Sequence, residues 1–554
     1  MNLRRVILIL VGCCLALRGT SQVSYTYKMN ATDKERLERA VSDYERGRYF
    51  KSAELLRTLS QKYPDNPDVY FYLGLNAVQR DFNVMGIRRY FSKVIQLSPE
   101  YPNAVAHYYM GLIHYTDDQF EEAVADFNRF FERANNNGTP ETDSLYMEVS
   151  NYLYWSQFLA DAYRNIVPFS PRIVATLSSS KDELLPFITY DRSACFFLRD
   201  TPEKSRTAYY SQEFTKQRLR LYVSEWRDTA YAPAVMLPSP FNQGDPEGSM
   251  TLTADNQELY YSVIRRERGY NNSDLYFTRR TAQGWEPIRN MGDSINGIGT
   301  WESQPSITPD GEWLYFASNR PGGMGGTDIW RAHRKEDGSW SSPENLGSSV
   351  NTPGNEKCPF IHADGHTLYF ASDGWQGFGG YDMYFVDLDE SGEPRPINMG
   401  LPINTEDDDI AIGITADGSL GYYAGRAPQE MAVGGNDIMT FELYPAARPE
   451  AMRVYRGQVT TPDGTPLKAS LTVEHGSTSP ARYHTDSEGR FSILISSKND
   501  NTVIVSAPDY ADRQLHISAH SRKASQPSVI MLTVNRETTR DDCRTIFTSK
   551  KNNE

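Results

Sequence analysis

Five acidic residues head a recurring segment: Glu183, Glu247, Glu302, Glu356 and Glu406, the last running on into Asp407-Asp408-Asp409. If these segments line a common channel, their carboxylates converge near one mouth and make a negative focus for a cation or a basic peptide. The competing reading is that each Glu bonds backbone or an arginine within its own repeat, since residues that conform to a repeat usually maintain it. A second series, Asp274, Asp328, Asp382 and Asp437, stands just after a glycine or asparagine pair. A short carboxylate in that position is expected to accept backbone N–H bonds and hold a turn.

Other chemistry finds little footing. There is no Gly-x-Ser-x-Gly, His-Glu-x-x-His or phosphate-binding loop, so no catalytic residue is named and a hydrolase is not expected. His362 and His366 flank the Asp364-Gly365 turn instead of sharing one helical face, which argues against a metal site. Asp387, Asp389, Ser391 and Gly392 match the opening of a calcium loop, but its twelfth position is Asn398 where a bidentate Glu is needed. No metal or cofactor is expected. Beyond the N-terminal segment, Cys195, Cys358 and Cys543 form an odd set without metal-like spacing.

The elements that carry these residues repeat. The aspartates stand 54, 54 and 55 positions apart (328 − 274, 382 − 328, 437 − 382), and a fixed period marks a repeat architecture. In the fullest copy Glu302 to Ile307 reads as a strand, Pro309-Asp310-Gly311 as a tight turn, and Trp313 to Ala317 as an alternating second strand. Asp328-Ile329-Trp330 opens a third strand, and a fourth follows near Leu346. Four strands per repeat make a propeller blade, and five copies fill 168–444. The first copy has Arg220 where Asp is expected, and the last ends without a fourth strand. The segment Arg172 to Leu177 is expected to supply that strand and close the ring.

Residues 34–165 have helical periodicity, with amphipathic pairs punctuated by Tyr63-Pro64-Asp65-Asn66-Pro67 and Leu97-Ser98-Pro99-Glu100. Small residues stand where paired helices must approach, at Ala53, Gly74, Gly111 and Ala123. The segment resembles the tetratricopeptide repeat, with three repeats and a further helical pair through Tyr163, and such a solenoid offers a surface for a peptide or protein. Residues 445–452 read as a linker. Short strands joined by glycine turns in 453–534 resemble the regulatory-like β-sandwich of carboxypeptidases, and 535–554 form a polar tail. The expected fold class is therefore multidomain α + β: a helical solenoid, a five-bladed β-propeller and a seven-stranded-type β-sandwich.

The N-terminus pairs Arg4-Arg5 with an apolar core from Val6 to Leu17, which reads as a secretory signal over 1–21. Two cleavage readings compete: Gly19-Thr20-Ser21 before Gln22, and a lipobox-like Leu10-Val11-Gly12-Cys13 that would leave Cys13 lipidated as an anchor. No later stretch is long enough to span a membrane. With 57 basic against 71 acidic residues the formal charge is −14, which argues against a nucleic-acid binder and for a basic partner.

The order of signal, tetratricopeptide helices, TolB-like propeller and regulatory-like sandwich resembles the PorE-type envelope proteins of Bacteroidetes. The most specific elements are Pro-Asp-Gly, Tyr-Phe-Ala-Ser and Gly-Gly-x-Asp of the propeller. The resemblance implies a non-catalytic scaffold in the periplasm, associated with the outer membrane and bound to envelope or secretion proteins of the type IX secretion or gliding machinery. The alternative is a periplasmic receptor whose propeller binds a peptide, glycan or small ligand. The family's OmpA-like domain has no counterpart before Glu554, so cell-wall anchoring does not carry over.

Overall fold

The computed structural model describes residues 29–533 apart from 82, 137–143, 202, 208–209, 217, 244–245, 268–269, 475–479 and 520–527. The signal segment with Cys13, Cys543 and the polar tail lie outside the described residues. The chain divides into two units, Met1–Ile166 and Val167–Glu554.

The first unit is helical. Three pairs follow one another: α1 (Ala31–Glu45) with α2 (Tyr49–Lys62), α3 (Pro67–Asp81) with α4 (Val84–Leu97), and α5 (Val105–Thr116) with α6 (Phe120–Asn136). Glycine lets the partners of two pairs touch. A Cβ on Gly74 would stand 2.7 Å from the Phe91 ring, and one on Gly111 would stand 2.5 Å from the Phe127 ring. The expected further pair is instead one helix, α7 (Ser144–Arg164), whose 21 residues contain neither Gly nor Pro to break it. No described helix is long and apolar enough to cross a membrane.

The second unit opens with five antiparallel sheets in sequence order. Blade 3 is typical, with strands Glu302–Ile307, Trp313–Ser318, Asp328–His333 and Glu344–Asn345 in that order. The last blade takes its outer strand from the start of the unit: Arg172–Ile173 pairs with Asp437–Glu442 through Arg172↔Thr440 and Ile173↔Met439. This joins the two ends of a ring that would otherwise leave an open edge. The five-bladed propeller follows from that topology.

Two blades depart from the pattern. In blade 2 the second and third strands run on as one long hairpin, Glu258–Glu267 with Tyr270–Thr281. Asp274 therefore lies inside a strand opposite Val263 and holds no turn, which corrects the expectation for that residue. In blade 1 Arg220 does stand in the aspartate's register, opposite Arg199 as Asp328 stands opposite Ser318.

Seven described strands follow in two sheets. One has the order Arg490–Ser496, Met452–Thr460, Ser528–Met531; the other runs Ala481–His484, Ser470–Glu474, Asn501–Ser506, Arg513–Ile517. Leu471, Val473, Ile493, Ile495, Val503 and Val505 are fully buried between them. The connection at 445–452 is a docked segment and not a loose linker. Ala447 and Met452 are buried, Tyr369 Oη donates to Ala447 O at 2.6 Å, and Met452 N donates to Ala416 O at 2.8 Å.

Candidate functional site

The first strands of the blades surround the centre of the ring. In three of them the third residue has positive φ, at Leu185 (52°), Gln304 (55°) and Cys358 (49°), and Pro follows each. The register slips at the same point, between Leu184 and Phe187, Ser303 and Ser306, and Lys357 and Phe360. A bulge of this kind bends the strand and increases its local twist. Neighbouring first strands are then tied across the gap. Gln304 Oε1 accepts from Cys358 N at 2.9 Å, and Ser306 Oγ accepts from Ile361 N at 2.9 Å. The pocket between the first strands has a volume of about 50 Å³, with Pro186, Met250, Pro305, Pro359 and Ile412 in its wall. That holds a few water molecules and lies far below the roughly 300 Å³ at which ligand pockets begin. Burial pushes the Cys358 thiol up to about 12, so it is protonated at neutral pH.

One end of the channel is covered. The hairpin turns between first and second strands meet the sandwich: Asp310 Oδ2 accepts from Arg482 N at 3.2 Å, Asp364 Oδ2 accepts from Glu450 N at 3.1 Å, and Asp191 pairs with Arg456. Ala416, beside the fifth turn, receives Met452 N. Four of the five hairpins are thus bonded to the C-terminal segment, which places the sandwich across that end of the ring.

The glutamates lie at the other end, and they do not present a charged rim. Glu183, Glu302 and Glu356 are fully buried and Glu247 nearly so. Glu356 accepts from Thr352 N (3.0 Å), Thr352 Oγ1 (2.7 Å) and Ser372 Oγ (2.7 Å). Glu302 accepts from Gly297 N, Thr300 Oγ1 and Ser318 Oγ and pairs with Arg320 at 3.1 Å. Glu183 accepts from Ser179 and pairs with Arg199 at 2.6 Å. Glu247 accepts from Asn242 N at 2.7 Å. Burial raises the pKa of Glu183 and Glu356, and pushes Glu247 up to about 7 even with the Arg220 charge opposing it.

Glu406 does not belong to this series. It is exposed, and the first strand of blade 5 is the short Gly413–Ile414. Its place is taken by Asp409, whose Oδ2 accepts Thr405 N at 2.6 Å and Thr405 Oγ1 at 2.9 Å, the bonds that Thr352 gives Glu356. The acid in the position of Glu356 is thus the fourth of the run, not the first. Burial, with Asp407 and Asp408 adding to it, pushes Asp409 up to about 6.

The aspartates after the glycine pairs cap turns. Asp328 accepts from Met324 N (2.6 Å) and Gly325 N (3.2 Å), Asp382 from Phe378 N (2.9 Å), and Asp437 from Val433 N (2.9 Å). Asp274 instead accepts from Asn290 Nδ2 at 2.9 Å. His362 is buried with Nε2 against Thr415 O at 3.1 Å, and His366 Nδ1 meets Asp387 Oδ1 at 2.9 Å. The described residues contain no group of three His, Cys, Asp or Glu placed to hold a metal ion.

No family model matches the chain. No curated protein matches it either. Solved structures with a similar trace include a luciferin-regenerating enzyme (TM-score 0.32, 9% identity, 51% of this chain and 98% of that one) and a β-xylosidase (0.34, 11%, 49% and 94%). A glycosyl hydrolase from Bacteroides ovatus is similar at 0.30 and 12% identity, over 49% of this chain and 87% of that one. Likeness at this level carries no argument about activity.

One set of residues escaped the sequence reading altogether. Asn296, Asn351 and Asn404 each clasp the third strand of the preceding blade: Asn351 Oδ1 accepts Ile329 N at 2.8 Å and its Nδ2 donates to Ile329 O at 2.9 Å, with the same pair at Leu275 and Met383. A second asparagine six residues earlier, Asn290, Asn345 or Asn398, accepts from the first at 2.8 to 2.9 Å. The signal was present as Asn-Met-Gly or Asn-Leu-Gly followed by Asn four residues after the glycine, in three blades.

Proposed function

We propose that this chain is a non-catalytic scaffold of the bacterial envelope that binds protein partners, in the setting implied by its resemblance to the PorE-type proteins: the periplasm, beside the outer membrane, in type IX secretion or gliding. The observation that carries the reading is the state of the propeller centre. A pocket of about 50 Å³ between the first strands, with the sandwich across one end of the ring and carboxylates such as Glu302 and Glu356 bonded within their own blades, supports that reading. The same geometry weighs against a receptor that takes a peptide or glycan into the channel. Helical repeats, by contrast, present long surfaces suited to protein partners. Proximity labelling from the full chain in its native envelope tests this: exported envelope or secretion proteins are the expected neighbours, and an exclusively cytoplasmic set overturns the reading.

A further inference from the structure

Two hollows open side by side on the helical unit, where α2 passes the end of α3 and the start of α4. One, of about 440 Å³, is lined among others by Arg57, Asn76, Arg80, Met85 and Arg89; the other, of about 490 Å³, shares Arg80 and includes Phe50. The volume is in the range of ligand sites. Among the described residues no Asp or Glu lines either hollow, in a chain whose formal charge is −14. Among the described residues Arg57 and Arg89 make no ion pair, whereas the adjacent Arg48 pairs with Asp43 and Arg88 with Asp117.

The surroundings are those of a recognition site. Phe50 is 72% exposed and Met85 78%, and the Arg80 guanidinium lies 4.1 Å from the Phe50 ring centre, which holds its charge at the rim. Asn76 is buried and donates to Ser52 Oγ at 3.0 Å and Tyr72 O at 2.7 Å, while its Oδ1 has no donor among the described residues. A buried acceptor in that state calls for an N–H or a water from outside. Guanidinium forks match carboxylates in shape and charge.

We propose that this cationic hollow binds an acidic peptide segment of a partner protein. Carboxylates of the segment meet Arg57, Arg80 and Arg89, an apolar side chain beside them rests on Met85 and Phe50, and Asn76 Oδ1 takes a peptide N–H directly or through water. The inference deepens the scaffold reading by naming the partner's chemistry, and it rests on that reading.

The test is fluorescence anisotropy of a labelled peptide of eight glutamates flanked by leucines, titrated with the full-length chain. Binding that weakens with salt is expected, with a loss of at least about tenfold in the Arg57→Glu/Arg89→Glu double variant and none in Arg129→Glu, an exposed site on α6. Unchanged far-ultraviolet circular dichroism shows that the variants fold. Absence of binding, or binding that survives the double variant, overturns the inference. So does equal capture of oligothymidylate or of phosphatidylglycerol vesicles through the same arginines, because the surface then reads charge alone. If the peptide binds but native labelling finds no exported partner, the scaffold reading fails and the hollow stands. If the double variant labels the same partners as the native chain, this inference fails and the scaffold reading stands.

Discussion

Asn351, in the connection that follows blade 3, clasps that blade with a single side chain, accepting the buried Ile329 N–H and donating to Ile329 O and Asn345. Asn351→Ala leaves that N–H without its partner, and urea unfolding should show a loss of about 2–3 kcal/mol; a loss under about 0.5 kcal/mol would mean that the clasp is ornamental. Acidity enters beside the equivalent clasp of the next blade, where Asn404 holds Met383. Asp382 is pushed up to about 7 by burial with the Asp409 charge adding to it, and Asp409 up to about 6, both above the roughly 3.9 of an unfolded Asp. The folded state therefore holds protons that the unfolded chain releases. Their contribution is fully present below about pH 4 and is lost as pH rises through 6 to 7. Glu247 and His366, both raised, act in the same direction, and His484, lowered by burial and nearby arginines, acts against it. The propeller's thermal midpoint is expected to fall between pH 5 and 7.5, and to fall less in Asp382→Asn. An equal or steeper fall in the variant would contradict the assignment.

At the scale of the element, helix pairs close because glycine stands where an aromatic ring must fit. Gly111→Ala drives a methyl into the Phe127 ring and should cost about 1–3 kcal/mol by denaturant melting. Adding Phe127→Leu should restore part of that loss, and a double variant no better than the single one would show that the strain lies elsewhere. Gly74 and Gly111 were legible as close-approach positions because the repeat pattern fixes their place in the helix. The single helix at 144–164 was not, since nothing in a periodic pattern says whether a long helical stretch folds back. Turn aspartates were legible after Gly-Gly, where the backbone needs a local acceptor. They failed at Asp274, where a continuous hairpin replaces the turn.

At the scale of the whole molecule, blade number and ring closure were readable from the period, from a strand missing in the last copy and from one left over before the first. The use made of the acidic series was not, because a carboxylate that serves its own blade and one that faces a ligand occupy the same place in a repeat. Only the donors around Glu302 and Glu356 distinguish them: Ser318 and Ser372 keep the period at the ends of the second strands, whereas Thr300 and Thr352 lie in loops at different offsets from their glutamates. The docked sandwich was hidden for a similar reason: Asp310 and Asp364 read as turn formers, and their second carboxylate oxygens, like that of Asp191, reach across to a segment far along the chain. As the scaffold proposed above, such a molecule works through its outer surfaces. Amine-reactive cross-linking of the full chain in its native envelope, read by mass spectrometry, tests that most directly. Links from lysines of the helical unit, such as Lys51 and Lys93, to exported proteins are predicted; links within the chain alone, together with a small ligand that raises its thermal midpoint, would contradict it.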